Sequence, residues 1–358
     1  MTPATDMAEP IEAIEPEELR EGAKRLLADR IDRRAGWHER PRADISALLG
    51  EISELGWVLL TAPPANGGLG QSFAALAPIY EEMGRALSPL SLAATLQAVD
   101  VLAATGGAAA SALLDRITGG EARVATLWAT VPAETPIDAD FITVPGTADA
   151  TDLLILPEDG EGPVLLVDLS VDGVTVMPVD TWDRTRSFCD IRLRGVDAVS
   201  LTGAGAARLA RAHGDLAMAW DCIGAGLQCL DEAIAYMGTR KQFNRPIGSF
   251  QALKHRSADL KVGLEIARAL ADHATITFAR RGAGWADLAG QARILAVDAF
   301  RAVAEESVQF HGGIGFTWEY DCHLFLKRAL MNEMIDETPE QVRDRIAPAV
   351  MERALARL

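Results

Sequence analysis

No apolar run in this 358-residue sequence approaches the roughly 20 residues that a membrane-spanning helix needs. The first thirty residues are rich in Glu and Pro and hold no apolar signal region, so a secretory leader is not expected and a cytoplasmic location is. Cysteine is scarce: Cys189, Cys222, Cys229 and Cys322 form no C-x-x-C pair and lie beside no histidine at zinc spacing. Cys222 and Cys229 stand seven apart on one expected helix, roughly 10 Å along its axis, too far for a disulfide. The expectation is therefore four buried, reduced thiols. Six scattered histidines with no i,i+4 pair argue against a metal centre. Basic residues are outnumbered, 34 against 51, for a net charge of −17. That excludes a general binder of nucleic acid or anionic membrane, which needs a basic face. It leaves room for a small anionic ligand held by a few arginines or helix amino termini.

What is present is apolar residue at 49% and a mean hydropathy of +0.10, enough for a packed core and two or three domains. The order is helix-rich, strand-rich, helix-rich, an α+β but mainly α class. Helices are expected over Pro16–Arg30, Arg42–Leu55, Phe73–Arg85, Leu92–Thr105 and Ala108–Ile117, interrupted by the turn-forming cluster Ala62–Gly70. From about Glu121 the segments become short, β-branched and punctuated by Gly, Pro and Asp: Val124–Thr130, Phe141–Val144, Asp152–Leu156, Val164–Asp168, Gly173–Pro178 and Cys189–Leu193. They predict a small antiparallel sheet or barrel. Apolar residues at helical spacing then return (Leu216–Met237, Leu253–Ala271, Leu288–Ala302, and the stretch Arg343–Arg357), predicting a four-helix bundle whose alanine-rich stripes suit oligomerisation. The expected division is 1–121, 122–203 and 204–358.

Two segments stand out. In Arg240-Lys241-Gln242-Phe243-Asn244-Arg245-Pro246-Ile247-Gly248-Ser249 an arginine that can pair bidentately with phosphate ends a helix, followed by an amide, a flat ring and a turn. In Gln309-Phe310-His311-Gly312-Gly313-Ile314-Gly315 three glycines after a helix open the backbone to something flat or anionic. Taken singly, each is also an ordinary helix connection or C-cap.

Together with Glu54–Phe73 and Glu81–Thr95, the stretches Arg240–Leu260 and Gln309–Ala329 resemble the acyl-CoA dehydrogenase family of flavoproteins over essentially the whole chain. The resemblance implies FAD lying across a subunit interface. Arg240, Gln242 and Phe243 would hold its diphosphate and adenine end, and Gln309, Gly312 and Gly313 would reach adenosine or pyrophosphate from a neighbouring chain. It implies removal of the α-proton of an acyl-CoA by a carboxylate, hydride transfer to flavin N5, electron export to an electron-transfer flavoprotein, and a homo- or hetero-oligomer such as a tetramer.

Two parts of the family pattern are altered. The flavin-facing element falls at Leu127–Pro132 without the Gly-Ser-Asp turn that usually follows, so Trp128 and Thr130 are either its remnants against the flavin or plain strand residues. The base, commonly a glutamate after the glycine-rich motif, falls on Asp336, with Glu337 beside it. The alternative glutamate position of the family falls near Gly214, close to Asp215 and Asp221. Arg184 and Arg186 match a common element of the strand region, read as a structural salt bridge before a CoA-phosphate contact. The resemblance thus carries two readings: a dehydrogenase with an aspartate base, or a shortened, catalytically incomplete subunit of a bacterial heteromeric enzyme. A scaffold or acyl-CoA-binding protein is the non-enzymatic alternative.

Overall fold

The computed structural model describes residues 14–35, 45–131 and 135–356, without the side chains of Ile45, Leu90 and Ser91. Expectations for Met1–Ala13, for the start of the second helix at 42–44 and for Pro132 lie outside these residues. The amino-terminal helices are α1 (Pro16–Arg30), α2 (Ile45–Glu54), α3 (Ala77–Ala86), α4 (Leu90–Thr105) and α5 (Gly107–Thr118). In α1 a proline opens the first turn, Glu17 and Glu18 complement the helix dipole, and Leu19, Ala23 and Leu27 form the buried stripe.

The strands β1 (Val124–Trp128), β2 (Ile137–Pro145), β3 (Asp152–Leu156), β4 (Val164–Asp168), β5 (Val174–Val179), β6 (Phe188–Val196) and β7 (Val199–Leu201) make two sheets. One has the order β1-β3-β4-β7 and the other β2-β6-β5, so the described strands close no barrel. Nor is the region purely antiparallel. β1 and β3 run parallel because β2 leaves for the second sheet between them. Leu153, Ile155 and Val167 of the first sheet bury their side chains against Ile137 and Ile191 of the second.

The carboxy-terminal helices are α6 (Ala206–Thr239), α7 (Gln251–Ala279), α8 (Trp285–His311), α9 (Cys322–Asn332) and α10 (Pro339–Leu355), with a two-residue-stranded hairpin, β8 (Lys241–Gln242) and β9 (Arg245–Pro246), between α6 and α7. α9 is one more helix than the apolar spacing predicts. Its buried face carries His323, Arg328 and Asn332, so a buried surface reads as polar. One continuous core runs from Leu27, Ile79 and Leu92 through Leu216, Leu264, Phe300 and Phe325, joining both helical regions. All four cysteines are buried and none is in a disulfide, and burial pushes the Cys222 thiol up to about 12. No helix among the described residues is long and apolar enough to cross a membrane.

α3 and α6 cross almost backbone to backbone. A Cβ at Gly84 would lie 2.0 Å from the Asp221 carbonyl oxygen, and one at Gly224 would lie 1.9 Å from that of Glu81. Beside this crossing, a buried polar network ties three regions together. Arg328 of α9 pairs with Asp183 at 3.1 Å, donates to the Thr185 hydroxyl, and caps the carbonyls of Leu87 and Ser88 after α3 at 2.9 and 3.0 Å. It also meets Asp221 of α6 at 3.4 Å. Arg186 pairs with the same aspartate at 3.2 Å and donates to Asn332. The salt-bridge reading of Arg186 matches this placement, and burial lowers its guanidinium to about 10.

Candidate active site

A cleft of about 630 Å³, including its open mouth, lies where α3, α4, β1 and α6 meet. Tyr80, Met83, Ala93 and Met218 supply apolar wall, while Gln97 and Thr126 supply polar wall. Gln97 is fixed, donating to the Ala210 carbonyl at 2.7 Å and accepting from the Thr126 hydroxyl at 3.3 Å. Tyr80 is fixed as well, its hydroxyl 2.6 Å from His213 Nε2, with His213 Nδ1 2.9 Å from Asp100. Both walls are thus set before any ligand enters.

Asp221 and Asp336 both line this cleft, with different surroundings. Asp221 accepts from Arg186, Arg328 and the Asn332 amide, which hold it as a structural acceptor. Asp215, one residue from cleft-lining Gly214, is fully buried between Arg293 at 3.1 Å and Arg345 at 2.9 Å. Among the described residues no hydrogen bond or ion pair engages the Asp336 carboxylate. Its residue keeps solvent access through the cleft mouth, yet packing around the carboxyl raises it above the ordinary carboxylate range. Loss of hydration is the main cause, opposed by the cations of Arg293 and Arg211 and reinforced by Asp215 and Glu337. The backbone at Asp336 is left-handed, φ 62°, in the short turn between α9 and α10.

That turn is gripped from beneath. Arg293 Nη2 donates to the carbonyls of Ile335 at 2.6 Å and Glu337 at 2.8 Å, one on each side of Asp336. The Glu337 carboxylate meets Arg345 at 2.9 Å and Arg211 at 3.3 Å. Thr338 then starts α10 with a capping box to Gln341. Gly214, near which the resemblance puts the alternative base, lines the same cleft as Asp336, but a Cβ there would lie 2.9 Å from the Gln97 amide nitrogen. The two alternatives from the sequence therefore converge on one place.

Trp128 ends β1 with the Arg211 guanidinium 3.3 Å over its ring, so that face is occupied by a cation. The Thr130 hydroxyl donates to Glu158 at 3.1 Å.

The other sequence-predicted residues gather elsewhere. Arg240 caps α6, and Phe243 and Asn244, at φ 48° and 62°, form the two-residue turn of the β8–β9 hairpin. Phe243 is 86% exposed, an unusual position for an aromatic in left-handed backbone. Gln309 and Gly313 are exposed, Gly312 turns the chain at φ 65°, and nothing lies within 4 Å of a Cβ placed on either glycine. The two segments lie side by side, because Tyr236 stacks on His311 with centroids 4.3 Å apart and donates to its carbonyl at 3.3 Å. Among the described residues no hydrogen bond or ion pair engages the Arg240 guanidinium. A cation, an amide, an exposed ring and open glycine backbone fit the anionic and adenine half of a dinucleotide. From the cleft-lining stretch Gly214–Asp221 to Arg240 the α6 axis runs roughly 28 to 39 Å at about 1.5 Å per residue, so this face and the cleft stand far apart on one chain.

The acyl-CoA dehydrogenase N-terminal domain model matches residues 14–120 and the acyl-CoA dehydrogenase C-terminal domain model matches 202–351. The chain belongs to the acyl-CoA dehydrogenase family of FAD-dependent oxidoreductases. It is 33% identical over 317 residues to acyl-CoA dehydrogenase IpdE2 of Mycolicibacterium smegmatis, covering 86% of this chain and 92% of that one. It is 33% identical over 300 residues to IpdE2 of Mycobacterium tuberculosis, covering 84% and 85%. Among solved structures, the Tcur3481-Tcur3483 steroid ACAD superposes with a TM-score of 0.82 at 24% identity, covering 95% of this chain and 98% of that one. The ChsE4-ChsE5 complex from Mycobacterium tuberculosis gives 0.81 at 20%, covering 96% and 99%. These two likenesses establish the fold.

Proposed function

We propose that this chain carries out the α,β-dehydrogenation of an acyl-CoA thioester, with Asp336 as the base. The observation that carries the proposal is the isolation of Asp336. Of the two carboxylates lining the cleft, it alone lacks a partner among the described residues, and its raised affinity for a proton suits a base. Tyr80, Met83 and Met218 line the acyl group and exclude water from it. Asp336 Oδ takes the α-proton as the α-carbon–hydrogen bond breaks. FAD, when bound, supplies the acceptor for the β-hydride, and loss of both hydrogens leaves the trans-2-enoyl thioester.

Arg240, Gln242, Phe243, Gln309, Gly312 and Gly313 would hold the adenine and diphosphate half of FAD, and Trp128 at the end of β1 and Thr130 just beyond it would serve its flavin end. The roughly 28 to 39 Å along α6 between clamp and cleft supports a site completed by a second chain, either another copy or a different subunit. The reduced enzyme passes its electrons to an electron-transfer flavoprotein. A second reading, in which the base comes from a different partner and this chain lends only its clamp, is favoured by the same separation.

Visible absorbance of the chain purified alone, and co-expressed with a second acyl-CoA dehydrogenase family chain from the same genome, tests the proposal. A yellow protein that reduces on adding acyl-CoA and loses turnover in Asp336→Asn supports it. A yellow complex with unchanged turnover in Asp336→Asn transfers the base to the partner. Colourless protein in both preparations sinks the flavoenzyme reading for this chain.

A further inference from the structure

The turn bearing Asp336 carries a second feature independent of the carboxylate. A left-handed aspartate flanked by two carbonyls would ordinarily leave those oxygens to water, and the turn would sample several conformations. Here one nitrogen of Arg293 holds both carbonyls, while its other terminal nitrogen pairs with Asp215. Asp215 binds Arg345, Arg345 binds the Glu337 side chain, and the Glu337 carbonyl returns to Arg293. The circuit joins α6, α8, α10 and the turn. Gly290, on α8 beneath Arg293, lets α10 approach: a Cβ there would meet Ile346 at 3.0 Å and Val342 at 3.3 Å. Arg293 and Asp215 are fully buried and neither lines the cleft, so they touch no substrate.

We infer that Arg293 is a positioning residue, fixing the turn so that the Asp336 carboxylate projects into the cleft at one angle. This rests on the reading of Asp336 as the base. A planar guanidinium can serve two carbonyls and a carboxylate together, whereas an ammonium is a single point of charge. Base geometry matters because a displacement of about 1 Å can cost on the order of 100-fold in rate. The charged and titratable groups facing Asp336 are Arg293 from α8, Arg211 and Asp215 from α6, and Glu337 from its own turn. Arg345 of α10 lies one contact further, and Asp221, Arg186 and Tyr80 share the cleft wall.

The experiment compares wild type, Arg293→Lys, Arg293→Gln and Asp336→Asn as the purified flavin-loaded complex. It measures kcat, KM, the pH profile of kcat/KM, and flavin content. Exchange of the substrate α-proton into heavy water gives a readout of the base without turnover. Arg293→Lys keeps a cation opposite Asp215 and so keeps the fold. The expected result is a kcat lower on the order of 10- to 100-fold, α-proton exchange slowed in step, and KM and flavin content near wild type. Arg293→Gln removes a cation that favours the ionised base, so the acid limb of its profile moves to higher pH. Wild-type kcat and exchange in Arg293→Lys, beside an inactive Asp336→Asn, overturn the positioning role alone. Activity retained in Asp336→Asn instead overturns the assignment of the base on which it rests.

Discussion

Asp336 and Arg328 are both charged groups, and their surroundings treat them in opposite ways. Arg328 is completely buried with every direction of its guanidinium matched: two aspartates, a threonine hydroxyl and two carbonyls. Removing it leaves Asp183 buried with its cation gone, and losing one partner of a buried pair costs about 3–5 kcal/mol. Arg328→Met is therefore expected to lower the unfolding midpoint in denaturant sharply, or to prevent accumulation of folded protein. Asp336 is left unmatched, and its carboxyl binds a proton more tightly in the folded chain than in the unfolded one. Such a group favours the fold below the ordinary carboxylate range, and that advantage disappears as pH rises through its folded pKa. Asparagine tolerates left-handed backbone and carries no charge. Asp336→Asn should accordingly melt higher than wild type at neutral pH and match it in acid. An equal melting temperature at both pH values contradicts the raised pKa. A chain that is more stable without its candidate base is one that holds that base at a cost, as functional sites commonly do.

At the scale of elements, helical spacing predicted most of the carboxy-terminal architecture because the buried stripes of α6, α7 and α8 are made of Leu, Ile and Ala. Asp152–Leu156 and Val164–Asp168 were equally legible, being central apolar strands flanked by turns. The failures share a cause. α9 hides His323, Arg328 and Asn332, and β8 and β9 are too short for alternation to register. The glycines were legible as breakers or as open backbone for a ligand, whereas Gly84 and Gly224 sit inside helices for contact. Replacing Gly224 with Ala drives a methyl into the Glu81 carbonyl. Overpacking of this kind costs about 1–3 kcal/mol or more. The variant should unfold at lower denaturant, and because the crossing also carries Asp221, its Michaelis constant should rise. Unfolding at the wild-type midpoint would mean that the two helices separate freely. For the site, residue types and order pointed to Asp336 through the family resemblance. Its lack of partners, and the arginine beneath it, depend on α8 and α10 converging from distant parts of the sequence.

At the scale of the whole molecule, the two parts of the proposed site are held apart along α6, the cleft beside its first half and the clamp at its carboxy-terminal end, and one chain cannot bring its own clamp to its own cleft without dismantling that helix. The clamp itself is built to be met from outside. Phe243 at 86% exposure and Phe316 at 76% flank open glycine backbone, an arrangement that leaves apolar surface in water until something covers it. If the covering chain is another copy, the two defects must complement. A chain carrying Arg240→Ala keeps its base and lacks its clamp, while a chain carrying Asp336→Asn keeps its clamp and lacks its base. In a symmetric pair formed from both, one of the two sites joins the intact base to the intact clamp. Co-expression at equal levels should then restore about a quarter of wild-type turnover, since half of random pairs are mixed and half of their sites are whole. The same ratio should appear in the bound flavin that acyl-CoA bleaches. A mixture as inactive as its components would contradict completion of the site by a second copy of this chain.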